Sequence, residues 1–294
     1  MKVIITGAGG LVGGALARRF ARQHKVIAPT RADLDVTDGA AVMRLLLREA
    51  PQLVVNCAVL GVDESERDPE AARRVNAEAP ASLARACAEA GAEFLHFSTN
   101  YVFGGGRGPY TAADEPHPVN AYGRSKLEGE RAALAATRRC YVVRTSWVFG
   151  DGKNNFLGTA HRELLAGRPV RAIVDTWANV TYVEDLAARV EEVLARRRFG
   201  IYHVVNEGVC TYFDFVSEAA RLVGLGGAEA ARLIERVSEG EMGRAAARPR
   251  HTPLRCTLSE RLGLAPVRGW RAALSAYVAA DRGPEAHRNF QSRV

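Results

Sequence analysis

The chain has 294 residues, of which 47% are hydrophobic and 25% are charged, a composition that suits one large α/β domain or two smaller ones with a full core. Its net charge of +7 is spread along the whole sequence, so we expect an anionic small molecule rather than nucleic acid as its partner. We expect no membrane association, because no apolar run approaches the roughly 20 residues that a membrane span needs.

The N-terminus and the cysteines indicate the cellular compartment in which the protein is expected. The sequence enters an apolar, strand-like run at residue 2, so we expect no signal peptide. The five cysteines are scattered, without a CxxC pair or another spacing typical of metal ligands. We therefore expect reduced thiols, no metal site and a cytoplasmic location.

The first predicted strand, residues 2–6, runs into a glycine-rich turn and then into a helical pattern. A dinucleotide-binding loop requires this succession, because the helix N-terminus offers unpaired N–H groups and a positive dipole end to a pyrophosphate. The glycine spacing is GxxGxxG rather than GxGxxG. Cofactor contacts are predicted from Gly7, Gly10, Leu11, Val12 and Gly13.

The tip of the second predicted strand, residues 25–29, bears on the choice of cofactor. An acidic residue at this tip favours NAD, whereas a basic residue accommodates the 2′-phosphate of NADP. Thr30 and Arg31 follow the strand, so the sequence predicts NADPH, with NADH as an alternative. Asp35 is predicted either to face the adenine or to cap the helix that begins near Asp38.

The third and fourth predicted strands, residues 53–56 and 93–97, are joined by a helix predicted from residue 63 to Gly91. Small residues after the third strand would let a cofactor approach, and contacts are predicted from Asn56, Ala58 and Val59. The fourth strand delivers Ser98, a further predicted cofactor contact, and Thr99 to the carboxyl edge of the sheet. Open parallel sheets bind their ligands at that edge.

A Gly- and Pro-rich segment, residues 104–118, is predicted to be a lid or binding loop. The helix that follows, from Ala121, places Tyr122 and Lys126 at positions i and i+4 on one face. We expect the Lys126 ammonium to lower the pKa of Tyr122 and make it a proton donor near neutral pH, with Thr99 as a second hydroxyl on a carbonyl. Lysine is scarce in this arginine-rich chain, which makes Lys126 informative.

A fifth strand, residues 140–144, completes five β-α repeats, which predict a doubly wound parallel Rossmann sheet within residues 1–150. Beyond residue 150 the alternation loosens into strand-like stretches at 169–174 and 200–205. Residues 151–294 are predicted to form mainly a smaller C-terminal α/β substrate-binding lobe, interleaved with the main sheet. We expect a monomer or a homodimer.

Four segments in this order carry a family resemblance: the glycine loop, Ser98–Phe103 (STNYVF), Tyr122–Glu130 (YGRSKLEGE) and Arg144–Phe149 (RTSWVF). Together they resemble the extended short-chain dehydrogenase/reductase superfamily and, within it, the dTDP-4-dehydrorhamnose reductase family, over nearly the whole chain. The resemblance implies that NAD(P)H reduces the ketone of a nucleotide-linked 6-deoxyhexulose, giving dTDP-L-rhamnose.

The resemblance also implies roles for individual residues. Tyr122 would protonate the 4-keto oxygen, Lys126 would hold the nicotinamide ribose, and Thr99 would hydrogen-bond the developing alkoxide. Val148 would border the nicotinamide as a cofactor contact. The implied substrate contacts are Asn100, Tyr101, Trp147, Asn155 and Arg248, of which Asn155 and Arg248 would clamp the diphosphate.

Three segments depart from the family pattern, one of which is residues 59–63 (VLGVD) after the third strand, where the family usually has an Ala/Thr-rich stretch. Asn100 stands where the family usually has Asp, and residues 175–181 lack the Gln, Gly and Pro of an Asp-Gln-x-Gly-x-Pro-Thr run. Two alternatives therefore stay open. One is another extended-family epimerase, dehydratase or reductase acting on a different sugar nucleotide. The other is a non-catalytic NADP-binding regulatory subunit, resembling that of methionine adenosyltransferase, although the intact Thr99, Tyr122 and Lys126 argue against it.

Overall fold

A computed structural model describes residues 1–106, 108–152 and 155–281. The strands of this part of the chain are β1 (Lys2–Thr6), β2 (Lys25–Ile27), β3 (Leu53–Asn56), β4 (Glu93–Thr99), β5 (Cys140–Thr145), β6 (Val148–Phe149), β7 (Val170–Ile173), β8 (Thr181–Tyr182), β9 (Gly200–His203) and β10 (Ile234–Val237). Its α-helices are α1 (Leu11–Phe20), α2 (Gly39–Glu49), α3 (Val62–Arg67), α4 (Pro69–Arg73), α5 (Ala79–Glu89), α6 (Ala121–Ala136), α7 (Phe156–Leu165), α8 (Val183–Arg196), α9 (Tyr212–Leu222), α10 (Gly227–Leu233), α11 (Thr257–Arg261) and α12 (Trp270–Ala280). No helix in these three ranges is long and apolar enough to cross a membrane.

The main sheet confirms the predicted doubly wound architecture. Its six strands are parallel and lie in the order β2-β1-β3-β4-β5-β9. This is the dinucleotide-binding order 3-2-1-4-5-6 without its third strand and with β9 added at the far edge. The strand order reverses between β1 and β3, so a crevice opens beyond the carboxyl ends of these two strands.

In the order 3-2-1-4-5-6, strand 3 lies at the outer edge of the sheet. Residues 28–38, which follow β2 here, form turns instead of that strand. The Asp33 carboxylate accepts hydrogen bonds from the backbone N–H and the hydroxyl of Thr30, at 2.9 and 2.7 Å. Asp35 accepts the same pair of bonds from Thr37, at 2.9 and 2.8 Å. Such side-chain turns compete with strand pairing. The proposed capping role of Asp35 is wrong, because Asp38 caps α2 by accepting the N–H of Ala41.

Both faces of the sheet are covered by helices, because the strands carry apolar side chains on both sides. On one face, Ile4, Val54 and Phe94 pack against α2, α5 and α6. On the other face, Val3, Leu95 and their neighbours pack against α1 and α8. The C-terminal half of the chain therefore supplies β9 and α8 to the main layer structure.

A separate hydrophobic core lies in the C-terminal half. Helices α7, α9, α10 and α12 surround the short parallel pair β7–β10, with Phe149, Phe215 and Trp270 buried among them. We call this group of elements the second lobe. The last thirteen residues of the predicted second domain, 282–294, lie outside the described residues.

The single helix predicted between residues 63 and 91 is wrong. The chain forms α3, then α4, a π-helical turn (Arg74–Glu78) and finally α5. Asp68 ends the first piece and caps the second by accepting the N–H of Ala71 at 2.9 Å, and Pro69 follows at the first helical position. Proline has no N–H to donate, so it suits a helix start and not a helix interior.

The segment predicted as a lid, residues 104–118, packs instead against the C-terminal chain. Tyr110 exchanges backbone hydrogen bonds with Pro253 and Arg255, at 2.7 and 2.8 Å. The ring of Phe103 stacks on that of Tyr110, with 4.3 Å between centroids. The described residues of this segment therefore anchor residues 249–255 beside the sheet.

A buried ion pair fastens α6 to the sheet. The guanidinium of Arg144, on β5, donates to the Glu130 carboxylate at 2.6 and 2.9 Å, and the two side chains are 3% and 1% exposed. Arg144 also lies over the ring of Phe103 and contacts Nε2 of His203. Removal of one partner from such a pair leaves a buried charge without compensation.

We predict that Arg144→Met lowers the free energy of unfolding by about 3–5 kcal/mol, because the Glu130 carboxylate stays buried without its partner. Urea unfolding of the variant and the wild type measures the difference. Arg168→Met is the matched control, since Arg168 forms an exposed pair with Glu163 and its loss should cost far less. An equal loss in the two variants would contradict the importance of the buried pair.

Candidate active site

The glycine loop between β1 and α1 has the shape that a pyrophosphate requires. Gly7 has a φ of +69°, and a Cβ at Gly13 would lie 2.4 Å from the Gly7 carbonyl oxygen. Helix α1 begins at Leu11, and Gly10 precedes it without a side-chain cap. The first N–H groups of α1, including those of Leu11 and Val12, therefore face the crevice without competition from a capping side chain.

The chain after β3 packs directly on this loop. A Cβ at Gly7 would lie 2.6 Å from the backbone nitrogen of Ala58. Asn56 is buried, and its side-chain oxygen accepts the N–H of Ala58 at 3.1 Å and the Thr6 hydroxyl at 2.7 Å. Val59, by contrast, is 52% exposed. Arg31 and Asp35 are both exposed beyond the tip of β2.

Thr99 and Tyr122 are brought together at the carboxyl end of β4. Thr99 begins a 3₁₀ turn (Asn100–Val102), accepts the N–H of Tyr101 and acts on the Tyr122 phenol so as to lower its pKa. Helix α6 can approach this turn because residue 123 is glycine: a Cβ there would lie 2.2 Å from the Tyr101 carbonyl oxygen. Asn120 caps α6 by accepting the Gly123 N–H at 2.7 Å.

The predicted effect of Lys126 on the pKa of Tyr122 is wrong. Burial raises the pKa of Tyr122 to about 12, although Thr99 opposes that shift. The Nζ atom of Lys126 instead points to the Phe97 carbonyl oxygen at 2.5 Å and to Nε2 of His96 at 3.2 Å. Burial also lowers the pKa of Lys126 to about 8. Tyr122 therefore stays protonated across the neutral range.

Aromatic side chains form the opposite wall. Trp147 follows β5 with a φ of +35°, and its ring lies 4.0 Å from that of Tyr212, at the start of α9. Tyr101 meets Tyr122 edge to face at 6.1 Å. Phe156 meets Tyr212 at 5.6 Å, and the preceding Asn155 caps α7 by accepting the Gly158 N–H. A left-handed backbone at a bulky residue such as Trp147 costs energy and is found mostly at functional sites.

Charged residues at the cleft rim pair with one another. Arg248 is 7% exposed and binds the Asp63 carboxylate through both terminal nitrogens, at 3.0 and 2.7 Å. Arg244 contacts Glu239 at 3.2 Å and lies above the ring of Tyr212. Asn100 is buried and donates to the Thr252 hydroxyl at 2.7 Å, which ties the end of β4 to the C-terminal chain.

These residues enclose a cleft of about 620 Å³. Of the predicted site residues, those that line it are Ser98, Thr99, Asn100, Tyr101, Tyr122, Trp147, Val148, Asn155 and Arg248. The other predicted site residues lie outside this lining: Lys126, the glycine loop, Arg31, Asp35, Asn56, Ala58 and Val59. Sequence reasoning missed several lining residues, among them Asp63, Phe156 and Tyr212 from three helices and Arg244 from a loop. Each is a common residue type without a local motif, so the sequence offered no signal for them.

The floor of the cleft also holds two buried serine hydroxyls. Among the described residues, the side-chain oxygens of Ser98 and Ser146 have no hydrogen-bond partner. Both serines line the cleft at the ends of β4 and β5. Buried polar atoms are normally satisfied, so these hydroxyls suit contact with a polar ligand such as a nicotinamide ribose or a sugar. In the same three ranges, no group of three His, Cys, Asp or Glu side chains could hold a metal ion.

Comparison with known proteins decides the family. A family model described as "RmlD substrate binding domain" matches residues 1–282. The dTDP-4-dehydrorhamnose reductase of Mycolicibacterium smegmatis is 40% identical over 289 residues, which cover 96% of this chain and 86% of that protein. The chain belongs to the dTDP-4-dehydrorhamnose reductase family.

Solved structures of the family have the same fold. The dTDP-4-dehydrorhamnose reductase of Clostridium acetobutylicum superposes with a TM-score of 0.88 at 33% identity, covering 95% of this chain and 99% of that one. The Bacillus anthracis enzyme, solved in complex with NADP, superposes with a TM-score of 0.88 at 29% identity, covering 95% and 98%. The family likeness therefore includes the second lobe as well as the main sheet.

We predict that Gly123→Ala disturbs the site and destabilises the protein by about 1–3 kcal/mol, because the added Cβ pushes α6 away from the Tyr101 carbonyl. The free energy of urea unfolding measures this. Gly227→Ala, in α10, is the control: a Cβ there meets nothing within 4 Å, and alanine favours a helix. Unchanged stability in Gly123→Ala would show that the helix has room to move.

Proposed function

We propose that this protein reduces the 4-keto group of a nucleotide-linked 6-deoxyhexulose with NADPH, in the manner of the dTDP-4-dehydrorhamnose reductases, whose product is dTDP-L-rhamnose. The observation that carries the proposal is the meeting of the Thr99 and Tyr122 hydroxyls at one point of a cleft next to a dinucleotide-type glycine loop. The 40% identity to the M. smegmatis reductase over 96% of the chain supports the same reaction.

The cofactor side of the proposal uses the main sheet. The pyrophosphate would bind the N–H groups at the start of α1, above Gly7, Gly10 and Gly13. Asn56, Ala58 and Val59 would border the adenosine half, and Ser98 and Val148 the nicotinamide half. Arg31 would meet the 2′-phosphate, which favours NADPH. The NADP bound to the related B. anthracis enzyme supports this choice.

The proton-transfer side uses Tyr122 and Thr99. NADPH, when bound, supplies the hydride. Because burial holds the Tyr122 pKa at about 12, its phenol keeps its proton and is ready to donate it to the oxygen of the reduced carbonyl. The Thr99 hydroxyl, fixed by the 3₁₀ turn, would donate a second hydrogen bond to the same oxygen and stabilise its developing charge.

The substrate side uses the aromatic wall and the rim. Trp147, Tyr212 and Tyr101 would pack against the sugar and the base. Arg248 is already bound by Asp63 through both terminal nitrogens, whereas Arg244 is half-buried with a single carboxylate contact. We therefore propose Arg244 as the main diphosphate contact, with Arg248 and Asn155 as its neighbours.

We predict that Tyr122→Phe lowers kcat by about 10²–10⁴-fold while NADPH affinity stays nearly unchanged, because the phenol donates a proton but carries little cofactor contact. NADPH oxidation in the presence of a dTDP-4-keto-6-deoxy sugar measures kcat, and fluorescence titration measures affinity. Tyr202→Phe, whose hydroxyl bonds Arg198 in the main core, is the matched control. Normal turnover by Tyr122→Phe would refute the role of the phenol, and the absence of net NADPH consumption by the wild type would favour an epimerase.

A further inference from the structure

A row of hydrogen-bonded polar side chains crosses the sheet beneath the cleft. Thr6 on β1, Asn56 on β3 and His96 on β4 are register partners, so their side chains share one face. They continue the apolar rows that pack against α2, α5 and α6. The row ends at Lys126, whose Nζ lies 3.2 Å from Nε2 of His96. Each of the four residues is at most 2% exposed.

The hydrogen-bond donors along this row determine the tautomer of His96. The backbone N–H of Ala58 can only donate, and it donates to the side-chain oxygen of Asn56. The amide nitrogen of Asn56 therefore faces Nδ1 of His96, at 3.1 Å. Since that nitrogen is also a donor, Nδ1 must accept, and a neutral His96 carries its proton on Nε2. Burial holds the His96 pKa well below its usual value, in agreement with a neutral ring.

The tautomer has a consequence for Lys126. An ammonium has three donors and no acceptor, so it would meet the Nε2–H of His96 donor to donor. A neutral amine accepts that hydrogen with its lone pair and still donates to the Phe97 carbonyl oxygen at 2.5 Å. The contact geometry therefore fits Lys126 as an amine and disfavours the ammonium.

Other charged and titratable groups also act on Lys126. Glu130, one turn along α6, favours the ammonium, but both of its oxygens are bound by Arg144 of β5. Cys57, after β3, has a pKa raised by burial and is a neutral thiol. Tyr122, one turn back on α6, is a neutral phenol because its pKa is raised to about 12. With these groups neutral or compensated, His96 is the polar side chain in direct contact with Nζ.

We infer that His96 is a positioning residue that favours the neutral amine of Lys126 over the ammonium, so that in alkaline solution binding of the anionic dinucleotide is coupled to uptake of a proton. The coupling rests on the proposed function, whereas the state of Lys126 does not. The proton comes from solvent and forms a third N–H bond at Nζ, and no other bond changes. The ammonium that results loses its contact with Nε2–H and turns toward the anionic ligand.

The direct test is the titration of Lys126 by NMR in cofactor-free protein with labelled lysine side chains. The chain has only the lysines Lys2, Lys25, Lys126 and Lys153, so a Lys126→Arg variant identifies the signal. We expect a midpoint near 8 in the wild type, well below the ordinary 10.5. Nitrogen NMR of labelled histidine should show His96 protonated on Nε2. A Lys126 midpoint near 10.5 in the wild type, or a His96 ring protonated on Nδ1, would by itself overturn the inference.

Two variants separate hydrogen bonding from packing. His96→Gln can turn its amide oxygen toward Nζ and accept from the ammonium, so the Lys126 midpoint should rise by at least about one pH unit. Phe94→Leu changes the ring stacked beside His96 but none of the polar contacts, so the midpoint should stay at its wild-type value. An unmoved midpoint in His96→Gln, or an equal shift in both variants, would contradict the role of His96.

Calorimetry then tests the coupling. NADP binding at about pH 9, measured in two buffers of different ionisation enthalpy, should take up close to one proton in the wild type and about half as much or less in His96→Gln. Binding without proton uptake in the wild type would overturn the coupling. Failure of NADP to bind at all would overturn the proposed cofactor and the coupling with it, whereas the NMR titration alone decides the state of Lys126.

Discussion

The close contact of α6 with the ends of β4 and β5 is the constraint on which the site depends. Gly123 lets the helix meet the Tyr101 carbonyl, and Gly129 lets it meet the carbonyl of Asn76, where an added Cβ would lie 2.2 Å away in each case. The buried Glu130–Arg144 pair fastens the same helix to β5. Together these contacts fix the position of the Tyr122 phenol, which lines the cleft, and of the Lys126 amine, which lies outside the lining.

The buried charged side chains around this site are paired with side chains of opposite charge. Arg144 neutralises Glu130, Asp63 neutralises Arg248, and the titratable side chains next to Lys126 are uncharged. In a site of low dielectric, a newly arriving dinucleotide or diphosphate therefore acts on few uncompensated groups. This arrangement explains why the protonation state of one lysine can respond to an anionic ligand.

The parts of the site that could be predicted from sequence are those encoded locally. The spacing of Gly7, Gly10 and Gly13 identifies the loop because it needs only a strand before it and a helix after it, and Tyr122 and Lys126 lie one turn apart on a single helix. The pKa of Tyr122 was not predictable, since burial by distant segments outweighs its sequence neighbour. Nor were the Arg248–Asp63 pair and the Asn100–Thr252 bond, whose partners lie more than 150 positions apart.

In the proposed reaction, hydride passes from NADPH to the keto carbon of a sugar nucleotide in this cleft. The most direct measurement is mass spectrometry and NMR of the sugar formed from a dTDP-4-keto-6-deoxy sugar and NADPH deuterated at both hydrogens of nicotinamide C4. The proposed reaction predicts a product that carries one deuterium, bound to sugar C4. A reduced or epimerised sugar without deuterium at that carbon would contradict it.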